Sequence, residues 1–178
     1  MRKLKVTELK RIDVRQFKAS DKTPLTVVLD DVRSMYNVGS VFRTADSFRL
    51  EKIMLCGITA CPPHPEIHKT ALGAELSMEW KKCENTIEAV NKLHEEGYEV
   101  YALEQVEHSV PLHNFKVEHG KKYALILGNE VKGVSQEAVN ICDGAIEIPQ
   151  FGTKHSMNVS VSGGIAIWQI ASQLLKLQ

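Results

Sequence analysis

The chain has 178 residues, 43% of them hydrophobic and 25% charged, with 22 Lys+Arg against 22 Asp+Glu and a formal net charge of zero. That length suits one domain whose core stands without disulfide or metal staples, and the composition excludes a disordered chain. No apolar run approaches the ~20 residues that span a bilayer, and the opening MRKLKVTELKRIDVRQFKASDK lacks a signal peptide's apolar stretch, so a cytoplasmic protein without a membrane partner is expected.

Residues 1–22 come first and are unlike the rest. They hold eight basic groups (Arg2, Lys3, Lys5, Lys10, Arg11, Arg15, Lys18, Lys22) and three acids (Glu8, Asp13, Asp21), a net of +5 that leaves −5 for the remainder. A basic arm on an acidic body is the charge pattern of a segment that binds a polyanion, and on charge alone equally that of a solvated helix face. Residues 1–24 are therefore expected as a basic N-terminal extension, and 25–178 as one folded domain.

Along that domain, short apolar runs alternate with helical patterns. Leu25–Leu29 (LTVVL) reads as a strand, followed by a turn and a helix from about Asn37 to Phe48. Lys52–Cys56 is a second strand, and a proline-rich loop leads to a helix near Ile67–Ser77. A short strand follows around Glu79–Cys83. Asn85 then caps a helix, with Glu88 three residues on and Ile87, Val90 and Leu93 along one face. Gly97 ends it, as a left-handed terminal residue does. Tyr98–Leu103, Tyr123–Leu127 and Ala145–Ile148 add three strands, and an apolar helix runs from about Met157 to Lys176. Continuous apolar strands separated by helices indicate an α/β fold, with a parallel sheet of about six strands covered on both faces.

The four cysteines form no CxxC pair. Cys61, His64 and His68 have spacing that would suit metal ligands, but three prolines crowd the stretch and no fourth ligand is evident. An ordinary stiffened loop and no metal is the expectation. Ligands of such sheets bind beyond the carboxyl ends of the strands, yet neither GxGxxG nor GxxxxGK[ST] follows any strand.

Three other loops stand there. After the first strand come Asn37, Gly39, Arg43 and Ala45. After the fifth come Gly128, Asn129, Glu130 and Gly133. After the sixth come Pro149, Gly152, Ser156, Asn158 and the pair Gly163-Gly164. Each sets small residues at sharp turns beside polar groups able to bond a ligand. Local readings also exist: Asn37 as a helix N-cap, Arg43 as a surface cation, Ser156 as the cap of the last helix.

Together the three segments resemble the three motifs of the SpoU family of RNA ribose 2′-O-methyltransferases, in the SPOUT superfamily. NxGxxxRxA is matched by Asn37 through Ala45. The hydrophobic-Gly-x-Glu-x-x-Gly pattern is matched by Leu127 through Gly133. IPxxGxxxSLNVSVAxGI is matched by Ile148 through Ile165, with Met157 for the usual Leu and Ser162 for the usual Ala. The resemblance implies a SPOUT fold with a C-terminal trefoil knot, a homodimer, and S-adenosylmethionine as methyl donor. Carried over by position, Leu103, Gly128, Ile148, Ser156 and Met157 would contact the cofactor. Arg43 would be catalytic, with Asn37, Glu130, Ser156 and Asn158 around it. Two roles fit Arg43: the base that takes the ribose hydroxyl proton, or the clamp that holds the adjoining phosphate and polarises the hydroxyl. Many rRNA-acting members carry a further N-terminal RNA-binding domain, so a short basic extension favours tRNA over 23S rRNA. Lys116, Lys121, Lys122 and Lys132 are candidates to extend the RNA footprint. The alternatives are the same chemistry on 23S rRNA, or a non-catalytic RNA-binding member of the fold.

Overall fold

The computed structural model describes residues 1–177. The basic arm is more structured than its charge suggests. A single 3-10 turn spans Val6–Glu8, and helix α1 spans Val14–Ala19. Asp13 caps α1 reciprocally: its carboxylate accepts from the Gln16 amide at 2.7 Å, and Gln16 Oε1 accepts from the Asp13 amide at 3.0 Å. Phe17, 4% exposed, then anchors the arm in the main core. The other large apolar side chains of the arm, Leu4, Val6, Leu9, Ile12 and Val14, lie exposed.

The domain proper is β1 (Thr23–Asp30), α2 (Met35–Ser47), β2 (Leu50–Cys56), α3 (Pro65–Ala71), α4 (Ala74–Ser77), β3 (Trp80–Cys83), α5 (Thr86–Glu95), β4 (Tyr98–Leu103), β5 (Val110–Pro111), β6 (Lys122–Leu127), α6 (Gln136–Val139), β7 (Gly144–Glu147) and α7 (Val159–Leu174). All seven strands are parallel, in the order β3-β2-β1-β6-β4-β7-β5. The expected α/β sheet is present with one strand more, because Val110–Pro111 pairs with Ile146 and Glu147 at the edge. Two residues containing a proline carry no alternating pattern from which a strand is read.

Side chains alternate across the sheet and build two cores. Leu25, Val27 and Leu29 of β1 face a cluster completed by α1, α2, α3, α4 and α7. Val28, Met54, Val100 and Ile126 face the opposite cluster, closed by α5 and α6. Buried Asp30 ends β1 and ties the second layer down. Its carboxylate accepts from Thr86 Oγ1 at the start of α5, and from the Ser135 amide (2.8 Å) and hydroxyl (2.9 Å) before α6.

Several boundaries differ from the sequence expectation. The helix expected over Ile67–Ser77 is two helices, broken where Leu72 (φ 52°) and Gly73 (φ 96°) turn left-handed. Asn37 is not the N-cap of α2; Ser34 is, accepting from the Asn37 amide at 3.3 Å. The last helix starts at Val159, two residues later than Met157, and its cap is Asn158 rather than Ser156. Asn85 does cap α5, accepting from the Glu88 amide at 2.9 Å, while Glu88 reaches back to the Glu84 amide at 3.0 Å. Gly97 adopts φ +80° as expected.

Candidate active site

At the carboxyl ends of β4, β6 and β7 the chain encloses a cleft of about 300 Å³, within the range of small-ligand sites. Leu103, Gly128, Ile148, Ser156 and Met157, the five residues expected at the cofactor, all line it, and Glu130 lies on its rim. Sequence reading passed over Glu104, Gln105, Glu147 and Gln150, which line it too. Glu147 ends β7 and the other three stand one to three residues beyond a strand end, which is the positional cue that would have found them. Three carboxylates (Glu104, Glu130, Glu147) against Lys132 alone among the lysines and arginines give the cleft an excess of negative charge.

The loop after β6 is shaped by close backbone approach. The Asn129 amide donates to the Gly133 carbonyl at 3.0 Å, and the return bond is 2.9 Å. A Cβ on Gly128 would lie 2.2 Å from both the Gly133 carbonyl carbon and the Val134 nitrogen. Gly133 sits at φ +70°, where a Cβ would also meet Glu104 Oε2. The Asn129 side chain holds this loop to the one after β1, donating to the Asp31 carbonyl at 2.8 Å and accepting from the Val131 amide at 2.9 Å.

Beside the cleft, the three loops meet through side chains. Glu130 accepts from the Arg33 amide at 3.0 Å, the Ser34 amide at 2.9 Å and Asn37 Nδ2 at 2.9 Å. Its carboxylate thus receives the free N–H groups ahead of α2. Asn37, 8% exposed, accepts in turn from Asn158 Nδ2 at 3.2 Å. Asn158 Oδ1 accepts from the Ser160 amide at 2.9 Å and so closes α7. Partial burial pushes the Glu130 carboxyl upward, but the bonds from Arg33, Ser34 and Asn37 outweigh it and hold the group below its ordinary value. Asn37, Glu130 and Asn158 are therefore one hydrogen-bonded unit joining the starts of two helices to the cleft.

Arg43 is not in that unit and does not line the cleft. It lies exposed two turns further along α2, in an open recess shared with Ser40, Thr44, Ser47, Lys69 and Thr70. Ser156 is on the cleft wall but exposed, with no cap to make. Of the proposed footprint lysines, Lys121 is bound to Glu99 (2.6 Å) and Glu118 (2.7 Å), and Lys122 lies 3.9 Å from Glu51. Of the arm's eight cations, Arg2 pairs with Glu8 and Lys22 donates to the Phe17 and Ser20 carbonyls. The other six have no ion pair among the described residues.

The Cys61, His64 and His68 stretch has structural work. His64 Nδ1 accepts from the Glu66 amide at 3.2 Å at the start of α3, and His68 pairs with Glu75. Among the described residues, no cluster of His, Cys, Asp and Glu could hold a metal ion, and no helix is long and apolar enough to cross a membrane.

Comparison with known proteins gives one consistent result. The SpoU rRNA Methylase family matches residues 24–168. A tRNA (guanosine(18)-2′-O)-methyltransferase of Thermus thermophilus is 29% identical over 96% of this chain and 86% of its own length. The 23S rRNA (guanosine-2′-O-)-methyltransferase RlmB of Vibrio parahaemolyticus is 27% identical over 94% of this chain and 67% of its own. Among solved structures, the TrmH/SpoU tRNA modifying enzyme of A. aeolicus superposes with a TM-score of 0.79 at 24% identity, over 92% of this chain and 83% of that one. An AdoMet-bound rRNA methyltransferase from Sinorhizobium meliloti gives 0.79 at 26% identity, over 89% and 60%.

Proposed function

From the premise that the chain belongs to the SpoU rRNA methylase family, we propose that it transfers the methyl group of S-adenosylmethionine to a ribose 2′-hydroxyl of RNA, with tRNA the favoured substrate. The observation that carries this reading is the meeting of the three motif loops, through Glu130, Asn37 and Asn158, at the edge of one cleft.

The cleft suits that cofactor on its own chemistry. Leu103, Leu127, Ile148, Met157 and Val159 offer apolar wall for an adenine ring, and Glu104, Glu130 and Glu147 favour a ligand bearing a sulfonium and an ammonium. Leu103, Gly128, Ile148, Ser156 and Met157 would hold it. When bound, the cofactor supplies a methyl already activated by the positive sulfur.

The protein's part is to present the hydroxyl in line and to manage its proton. With the cofactor held in the cleft, the hydroxyl oxygen would take the methyl from the sulfur and its proton would leave to solvent. A guanidinium carries five N–H donors and no acceptor, so an exposed Arg43 acts as donor. It clamps the adjoining phosphate and polarises the hydroxyl, rather than taking the proton. That Arg43 lies outside the cleft within one chain supports a homodimer in which surfaces of two copies complete the site. The exposed apolar residues Val161, Ile165 and Trp168 on α7, with Tyr36 on α2, support that assembly. The six unpaired arm cations support an RNA grip. The absence of a membrane-spanning helix among the described residues fits a cytoplasmic enzyme.

The test is transfer of labelled methyl to total tRNA and to rRNA, with mapping of the modified nucleotide. Incorporation into tRNA at a ribose is the expected result. Incorporation into neither RNA overturns the function.

A further inference from the structure

The recess around Arg43 has a chemistry separate from the cleft. It is open, about 430 Å³ in volume, and walled by Ser40, Arg43, Thr44 and Ser47 of α2 and by Lys69 and Thr70 of α3. No carboxylate lines it. Asp46 of α2 accepts from Ser77 Oγ at 2.5 Å, and Glu75 of α4 holds His68. Neither Arg43 nor Lys69 has an ion pair among the described residues, and Lys69 Nζ stands 5.9 Å from the Tyr36 ring centroid. The hydroxyls do not supply positive character. Ser40 and Thr70 donate to the Tyr36 carbonyl at 2.8 and 2.9 Å, Thr44 to the Ser40 carbonyl at 3.0 Å and Ser47 to the Arg43 carbonyl at 2.9 Å. Two cations around one recess without a counter-charge repel each other until an anion enters.

What brings Lys69 beside Arg43 is the glycine of the first motif. A Cβ on Gly39 would lie 2.2 Å from Thr70 Oγ1 and 2.3 Å from the Ile67 carbonyl oxygen. Only a glycine there lets α3 press onto α2, and that contact sets the α3 cation against the α2 one.

We infer that this recess is a phosphodiester subsite in which Lys69 and Arg43 together clamp an RNA backbone phosphate, making Lys69 a substrate-binding residue. The inference rests on the RNA-methyltransferase reading but is testable without turnover. Lysine serves as a point charge and arginine as a fork, a pairing suited to one phosphate with two accessible oxygens.

The experiment measures filter binding of bulk tRNA over a salt series, for wild type, Lys69→Gln, Lys69→Arg and the distant exposed control Lys81→Gln. Lys69→Gln is expected to weaken RNA binding about tenfold and to lower the slope of log affinity against log salt by about one, as loss of one phosphate contact does. Lys69→Arg restores both, and Lys81→Gln matches wild type. In methyl transfer, Lys69→Gln raises KM for RNA while kcat at saturating RNA holds, and S-adenosylmethionine affinity by calorimetry is unchanged. Unaltered RNA affinity and slope in Lys69→Gln overturn the inference. So does a changed oligomeric state with RNA affinity intact, which assigns the recess to a subunit contact. If wild type shows Lys69-dependent RNA binding yet methylates no RNA, the subsite stands and the enzyme reading falls.

Discussion

At the scale of single residues, Arg43 and Glu130 do different work although both belong to motif positions. Arg43 is exposed and unpaired, so its replacement disturbs no packing. Arg43→Ala should lower kcat for methyl transfer by about a hundredfold or more, the usual cost of removing one donor from a developing charge. Calorimetry with S-adenosylmethionine should give wild-type affinity. Undiminished turnover in that variant would remove Arg43 from the mechanism. Glu130 instead holds the architecture. Its carboxyl is depressed in the folded chain, so the stabilisation it provides is complete above the unfolded value of about 4.3 and is lost as pH falls through the lower folded value. Glu130→Gln should melt at lower temperature than wild type at neutral pH, with the gap narrowing below about pH 4. Thermal melts across the acid range check this; a gap constant with pH would show that the charge is not what matters.

At the scale of elements, the sharpest expectation concerns the crossing of α2 and α3. Gly39→Ala places a methyl against the Ile67 carbonyl, and backbone yields less readily than a side chain. The expected cost is about 1–3 kcal/mol, and a chain of this size loses about 2–4 °C of melting temperature per kcal/mol. RNA affinity should fall with it, because Lys69 is carried away from Arg43. Elements were also where the sequence was most legible. β1, β2, β4 and β6 are each dominated by apolar residues, and α5 carries its own cap in Asn85 and its own stop in Gly97. The errors share a cause. Asn37 carries the residue type of an N-cap, but Ser34 takes that role and frees Asn37 for partners in Glu130 and Asn158. The split of the helix at Leu72–Gly73 depends on α4 docking, and local propensity does not register a neighbour. The motif loops were found because their residue types are unusual together. That Arg43 faces a different hollow from Met157 was not legible, since only the assembled packing separates them.

For the whole molecule, the net charge of zero conceals a division of labour. Of the arm's eight cations only Arg2 is in an ion pair among the described residues, while the cleft collects carboxylates. Neutralising Lys3, Lys5, Lys10 and Arg11 together should weaken tRNA binding and flatten its salt dependence, without moving cofactor affinity. An unchanged salt slope would exclude the arm from RNA contact. Trp168 is half-exposed on α7 and tilted against Phe48 with ring centroids 5.5 Å apart. Trp168→Asp should convert the proposed dimer to monomer by light scattering and abolish methyl transfer; an unchanged mass would place any subunit contact elsewhere.

The hydrogen bond from Asn158 to Asn37 spans 121 positions of sequence, and Glu130 reaches Asn37 across 93. During translation the first helix of the site therefore exists long before the two residues that fasten it. A chain made only as far as β6 has neither a closed cleft nor a seated α7, and closure of the site waits on contacts of high sequence separation, which form late in folding.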